Sequence, residues 1–268
     1  MTAGRFALVL ALALALALVA GACGDTSSDA ARRPARPPDA PWQYQLQGGI
    51  DRSNAARVFD VDGAETPAAT VRALKRDGRY VVCYFSAGTY ENFRPDSRRL
   101  PPSIRGRPVE GYANERRLDI RRQDLVAPLL RARMRTCARK GFDAVEPDNV
   151  DGYANPTGFP LRRSDALRFT RWLARTAHGL GLAIGLKNST GLVSALAPRF
   201  DFAVVEQCLQ YDECERYRPF VRRGKPVYAV EYEGTPQSVC PRAGRLAINT
   251  IVKDEDLTAP SRPCPARR

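Results

Sequence analysis

Glu146, Asp148, Asn149 and Asp151 stand together in the segment Val145-Glu146-Pro147-Asp148-Asn149-Val150-Asp151, directly after the mostly apolar run from Phe142 to Val145. Carboxylates this close repel one another and are costly to bury. Acids at strand ends are where a (β/α)8 barrel keeps its chemistry, and paired carboxylates are the equipment of glycoside hydrolysis. Two blander readings compete. One is a solvated loop. The other is a calcium loop built on Asp148, Asn149 and Asp151, although calcium wants more oxygens than these supply.

Glycoside cleavage needs a carboxyl group on each side of the scissile bond, about 5 Å apart for retention and further apart for inversion. Other apolar runs also end on polar residues: Gln45, Gln47 and Asp51; Asp60 or Asp62; Ser86; Lys187-Asn188; Glu206-Gln207; Glu231-Tyr232-Glu233; Lys253-Asp254. If the strands are parallel, these groups share one rim. Asp148 and Glu206, two strands apart, are then the best catalytic pair, one ionised and the other protonated. Glu146 precedes Pro147 and is expected to point into the barrel mouth. Lys187 lies between the pair in sequence, and its charge would keep a neighbouring carboxylate ionised. Tyr84, Tyr90, Tyr153, Tyr211 and Tyr232 offer faces for sugar rings, or fill core. The candidate substrate-binding residues are Gln47, Asp51, Tyr84, Ser86, Glu146, Asn149, Asp151, Lys187, Asn188, Gln207, Glu231 and Tyr232.

The elements that must position these groups alternate in kind. Short apolar runs at 44–48, 58–61, 80–85, 144–146, 183–186, 202–206, 227–231 and 246–251 read as strands, several of them continuous enough for a parallel sheet covered on both faces. Helical patterns lie between them. One starts at Thr66-Pro67 with Thr as cap and runs to Arg76. One spans 120–140, with Pro128 able to kink or split it. One runs 164–179 from a Ser cap, and shorter ones lie at 193–196, 215–223 and 254–257. Eight strands alternating with helices predict an α/β fold closed as a (β/α)8 TIM barrel. The stretch 86–120 is irregular and long, as expected of a lid or binding loop.

Residues 1–22 carry Arg5 and an Ala/Leu-rich apolar run, the pattern of an export signal. Ala20-Gly21-Ala22-Cys23 resembles a lipobox, which would make Cys23 a lipid anchor to a membrane; plain secretion is the alternative. Residues 23–41 lack large apolar side chains and read as a disordered tether, leaving 42–268 as one domain. Setting Cys23 aside, Cys83, Cys137, Cys208, Cys214, Cys240 and Cys264 remain, an even set that reads as disulfides in an exported chain. Pairing stays open. Cys208 with Cys214 needs only a short loop, Cys240 with Cys264 would pin the tail, and Cys83 with Cys137 would join a strand to a helix.

The net charge is +13. Its arginines are scattered and do not interleave with aromatics, so a nucleic-acid partner is not expected. The single histidine, His178, sits at a helix end and suits the helix dipole better than a catalytic triad. No CxxC, P-loop or dinucleotide fingerprint occurs, and neither cofactor nor metal is expected.

Several segments together resemble glycoside hydrolase family 114, the endo-α-1,4-polygalactosaminidases: Trp42 to Gly48, Val82 to Gly88, Gly141 to Asp151, Gly185 to Asn188, Val205 to Cys208 and Val230 to Tyr232. They follow family order and span the folded chain. The resemblance implies a (β/α)8 barrel that cleaves α-1,4-linked galactosamine polymers. It implies Asp148 as nucleophile and Glu206 as acid/base in a retaining reaction. It also implies the Cys208–Cys214 and Cys240–Cys264 pairs. Deacetylated galactosamine is cationic, so an acidic cleft on a basic body is expected. A different α-linked polymer, or a surface protein that binds carbohydrate without turnover, are the rival readings. A monomer is expected.

Overall fold

The computed structural model describes residues 33–265. The expected signal segment and Cys23 lie outside them. The described residues form twelve strands: β1 (Trp42–Gln45), β2 (Val58–Asp62), β3 (Tyr80–Ser86), β4 (Thr89–Glu91), β5 (Arg105–Val109), β6 (Tyr112–Leu118), β7 (Ala144–Asp148), β8 (Ala183–Lys187), β9 (Phe202–Glu206), β10 (Val227–Glu231), β11 (Asn249–Lys253) and β12 (Ser261–Pro263). Eight of them form one parallel series, β1-β2-β3-β7-β8-β9-β10-β11. β12 folds back antiparallel on β11. The seam to β1 is drawn together by the chain before β12: Leu46 N donates to Leu257 O at 3.0 Å, and Gln43 Nε2 to Ala259 O at 2.6 Å. Helices α1 (Ala68–Arg76), α2 (Gln123–Lys140), α3 (Arg163–Gly179), α4 (Val193–Leu196), α5 (Arg218–Val221) and α6 (Pro236–Leu246) fall between the strands. This is the (β/α)8 barrel.

Alternation along each strand divides the apolar residues between two cores. Trp42, Tyr44, Val58, Val82, Phe202 and Tyr228 fill the barrel interior. Phe59, Val61, Val145, Ile184 and Val205 pack outward beneath the helices, with Leu129 and Met134 of α2 and Phe169 and Leu173 of α3. Burial on both faces is why the strands read as continuous apolar runs. Gly185 answers a close approach: a Cβ there would come 2.4 Å from the Phe202 ring.

Some boundaries differ from the sequence reading, each for a local reason. The stretch 86–120 is a three-stranded antiparallel sheet, β4-β6-β5, turning at Gly111 with φ +78. α2 begins at Gln123 and runs through Pro128 as one helix; the proline forfeits one backbone bond, which the apolar face of the helix, buried through Val126, Leu129, Leu130 and Met134, outweighs. α1 is preceded by Pro67, not capped by Thr66, which is buried with its carbonyl accepting from Lys140 Nζ at 2.8 Å. α3 starts at Arg163, and Asp165 replaces the expected Ser cap by accepting from Arg162 N at 2.8 Å. Leu246 belongs to the last turn of α6, so β11 starts only at Asn249. His178 bonds Asp201 through Nε2 at 2.7 Å.

Residues 33–41 lie across the N-terminal ends of the strands. Tyr80 and Tyr228 donate their hydroxyls to Ala35 O and Pro38 O, Arg33 pairs with Asp201 at 2.9 Å, and Pro37 is buried. This part of the expected tether is held by named contacts. The cysteines pair as Cys83–Cys137, Cys208–Cys214 and Cys240–Cys264.

Candidate active site

The C-terminal ends of the strands carry the charged interior layer, and Lys187 is its centre. It follows Gly185 on the inward face of β8 and is 2% exposed. Its Nζ lies 3.3 Å from Glu146 Oε1, 3.5 Å from Asp148 Oδ2, 3.4 Å from Glu206 Oε2 and 2.7 Å from the Tyr44 hydroxyl. Burial alone would strip its proton; Asp148, Glu146 and Glu206 outweigh that and hold it well above the ordinary lysine value. The ammonium therefore stays charged.

Asp148 ends β7. Its Oδ2 accepts from the Tyr84 hydroxyl at 3.0 Å, and its Oδ1 from Asn149 N at 2.6 Å. Glu206 ends β9. Its Oε2 accepts from Asn188 Nδ2 at 3.1 Å and its Oε1 from the Tyr232 hydroxyl, while its own N–H donates to Asn188 Oδ1 at 2.9 Å. Burial pushes the Glu206 carboxyl up, but Lys187, Tyr232 and Asn188 overcome it and hold it below the ordinary range. Residues after three strand ends adopt the left-handed conformation: Asn149 at φ +60, Asn188 at +44 and Gln207 at +55. Asparagine tolerates this region through its short polar side chain. The three kinks stop the strands at one level and turn the next side chains across the mouth.

The expected residues divide by place. Asp148, Glu206, Lys187, Tyr84, Asn149, Asn188 and Tyr232 come together. Asp151 and Gln207 line an adjoining pocket of about 280 Å³ with Tyr153, Tyr211, Glu213 and Tyr217. Burial raises the Asp151 carboxyl, and Asp148 adds to it. Glu146 is 0% exposed and lies below Lys187 rather than in the mouth. Ser86 is buried against Thr89 and Asn149. Glu231 is buried and accepts from Leu209 N at 2.9 Å, bracing the Cys208–Cys214 loop. Gln47 and Asp51 sit in the loop after β1, where Asp51 accepts from Ser53, and neither contacts the pair. Tyr44, Asp60 and Glu213 were not among the expected site residues. Asp60 had a signal: two residues after Val58, it shares the inward face of β2. Among the described residues, the one trio of potential metal ligands is Cys208, Cys214 and Glu231, and its sulfurs are joined in the disulfide. A larger groove of about 430 Å³ beside Trp42, Cys240 and Cys264 is lined by no carboxylate and is remote from the acids.

An eight-stranded barrel whose mouth holds two carboxylates beside one ammonium carries the equipment of glycoside hydrolysis. The chain belongs to glycoside-hydrolase family GH114, whose model matches residues 24–267. It is similar to Aspergillus fumigatus Ega3, solved in complex with galactosamine, at 34% identity and TM-score 0.80, covering 84% of this chain and 95% of that one. It shares its fold with the glycoside hydrolase domain of PelA from Pseudomonas aeruginosa, at 17% identity and TM-score 0.63, with 82% and 96% covered. An uncharacterized protein of Deinococcus radiodurans is 25% identical over 263 residues, 85% of this chain and 84% of that protein.

Proposed function

We propose that this glycoside hydrolase is an exported endo-acting enzyme that cleaves α-1,4-linked galactosamine-containing polysaccharide through Asp148 and Glu206. The observation that carries the reading is the Lys187 nitrogen within 3.5 Å of Asp148 and 3.4 Å of Glu206. One atom reaching both keeps their nearest oxygens within about 7 Å, which supports the short, retaining spacing over most of the inverting range. The galactosamine bound by Ega3 supports the sugar. Asp151 and Glu213 beside the mouth supply negative charge for an amino sugar. Three disulfides support an oxidising compartment, and a lipid on Cys23 would hold the enzyme at a membrane.

In the retaining sequence the Asp148 carboxylate attacks the anomeric carbon as the glycosidic C–O bond breaks. The leaving oxygen takes a proton from Glu206. Glu206, now ionised, removes a proton from water, which attacks the same carbon and releases Asp148. One observation favours exchanging the two roles: three donors hold Glu206 ionised in the free site, as a nucleophile requires. Product analysis on galactosamine and N-acetylgalactosamine polymers tests the substrate, with no cleavage of either overturning it. Azide added to the Asp148→Ala and Glu206→Ala variants tests the roles. The acid/base variant returns a glycosyl azide of retained configuration, and the nucleophile variant an inverted one. A mature chain without a lipid-modified Cys23 by mass spectrometry removes the anchor.

A further inference from the structure

Beneath Lys187 lies a second carboxyl pair that the reaction above does not use. Asp60 is on β2 and Glu146 on β7, separated only by β3, and both point into the barrel. Asp60 is 1% exposed, and neither it nor Glu146 has a hydrogen-bond partner for either side-chain oxygen outside the pair. Two desolvated carboxylates in contact cannot both be ionised, and unpaired buried acceptors are costly. One proton between them removes the repulsion and joins one oxygen of each group in a hydrogen bond, because a carboxylic acid donates where a carboxylate only accepts.

We propose that Asp60 and Glu146 share one proton and that this buried acid pair is the seat that positions Lys187 between the catalytic acids. The charge left on the pair faces the ammonium, 3.3 Å from Glu146. Without the proton, Lys187 would be drawn down toward two negative charges and away from Asp148 and Glu206. Burial raises Asp60 to about 7, with Lys187 and the bond to Glu146 opposing it and Asp148 reinforcing it. Burial, then Asp60, push Glu146 well above the ordinary range. The other charged or titratable groups facing the pair are Tyr44 on β1, Tyr84 on β3, Asp148 on β7, Lys187 on β8, Glu206 on β9 and Tyr228 on β10. The tyrosines are held neutral by burial, so a proton retained in this layer belongs to the carboxyl pair.

The part concerning catalysis rests on the proposed roles of Asp148 and Glu206; the proton itself does not. Infrared spectra of the substrate-free wild type at neutral pH should show a protonated-carboxyl band that disappears in both Asp60→Asn and Glu146→Gln. Because the folded Asp60 value is raised, the stabilisation that Asp60 contributes is complete below its unfolded value of 3.8 and is lost as pH rises through about 7. Asp60→Asn should flatten that fall in thermal stability. The asparagine amide still donates to Glu146, so Asp60→Asn should keep more of kcat than Asp60→Val, which should lose roughly 10²-fold with little change in KM. Absence of the band in wild type, or its survival in both conservative variants, overturns the shared proton. Equal kcat in Asp60→Asn and Asp60→Val overturns the positioning role. A chelator that alters wild-type stability would show a cation in place of the proton and overturn the proposal.

Discussion

Lys187 holds an unusual position for a lysine, fully inside a barrel and surrounded by acids. Removing one partner of a buried ionic cluster leaves the others uncompensated. Lys187→Met should therefore cost about 3–5 kcal/mol at neutral pH, with the deficit shrinking as acid protonates the carboxyls. Thermal unfolding across pH checks it, and a pH-independent deficit would contradict it. Glu206→Gln and Asp148→Asn preserve shape and should each lower kcat by roughly 10²–10⁴-fold, while leaving the melting temperature near wild type. Glu206 is held low in the folded state, so its share of stability is present above its ordinary value of 4.5 and is lost as pH falls through its folded value. Gln207 is the costliest of the three kinked residues, since glutamine gains less than asparagine from the left-handed region.

Between elements, the point of greatest leverage is where the inserted sheet meets β7. Ala87 N and Gly88 N both donate to Asp148 O, at 2.9 and 3.1 Å, and Leu118 N returns to Gly88 O. A Cβ on Gly88 would fall 1.7 Å from Asn149 O. Gly88→Ala should force that clasp open at about 1–3 kcal/mol and misplace Asp148 enough to lower kcat roughly 10²-fold. A variant with wild-type kcat would separate the inserted sheet from catalysis. The eight barrel strands were legible because each is buried on both faces and interrupted by polar ends. The inserted sheet was not, because Arg105 to Leu118 is mostly exposed and its short strands carry arginine and proline instead of apolar alternation. Asp148 and Glu206 were legible as strand-end acids. Asp60 was hidden by its neighbour Asp62: both end the same run and share one parity, and only their height along β2 tells them apart. Asp62 instead pairs with Arg94, which ties β2 to the inserted sheet through Glu91.

At the scale of the molecule, acids concentrate at one mouth of a body whose net charge is +13. A cationic polymer is repelled by the whole and attracted by the mouth, and salt screens the longer-ranged effect first. In dilute buffer, moderate salt should therefore raise kcat/KM for a deacetylated polymer; a monotonic fall would place the attraction, not the repulsion, in control. The opposite end is closed by residues 33–41. Deleting everything up to Pro41 would strip the acceptors from the Tyr80 and Tyr228 hydroxyls, at about 0.5–1.5 kcal/mol for each hydrogen bond lost. Thermal unfolding should register the loss, with activity retained below the lowered melting temperature.

That crossing strand of chain also sets a direction. Arg33 is fastened to Asp201 at the entry to β9, on the end of the barrel away from Lys187. The first described residues are thus spent on covering one end of the barrel, while the acids gather at the other. Polymer therefore meets the catalytic pair from one side of the barrel only.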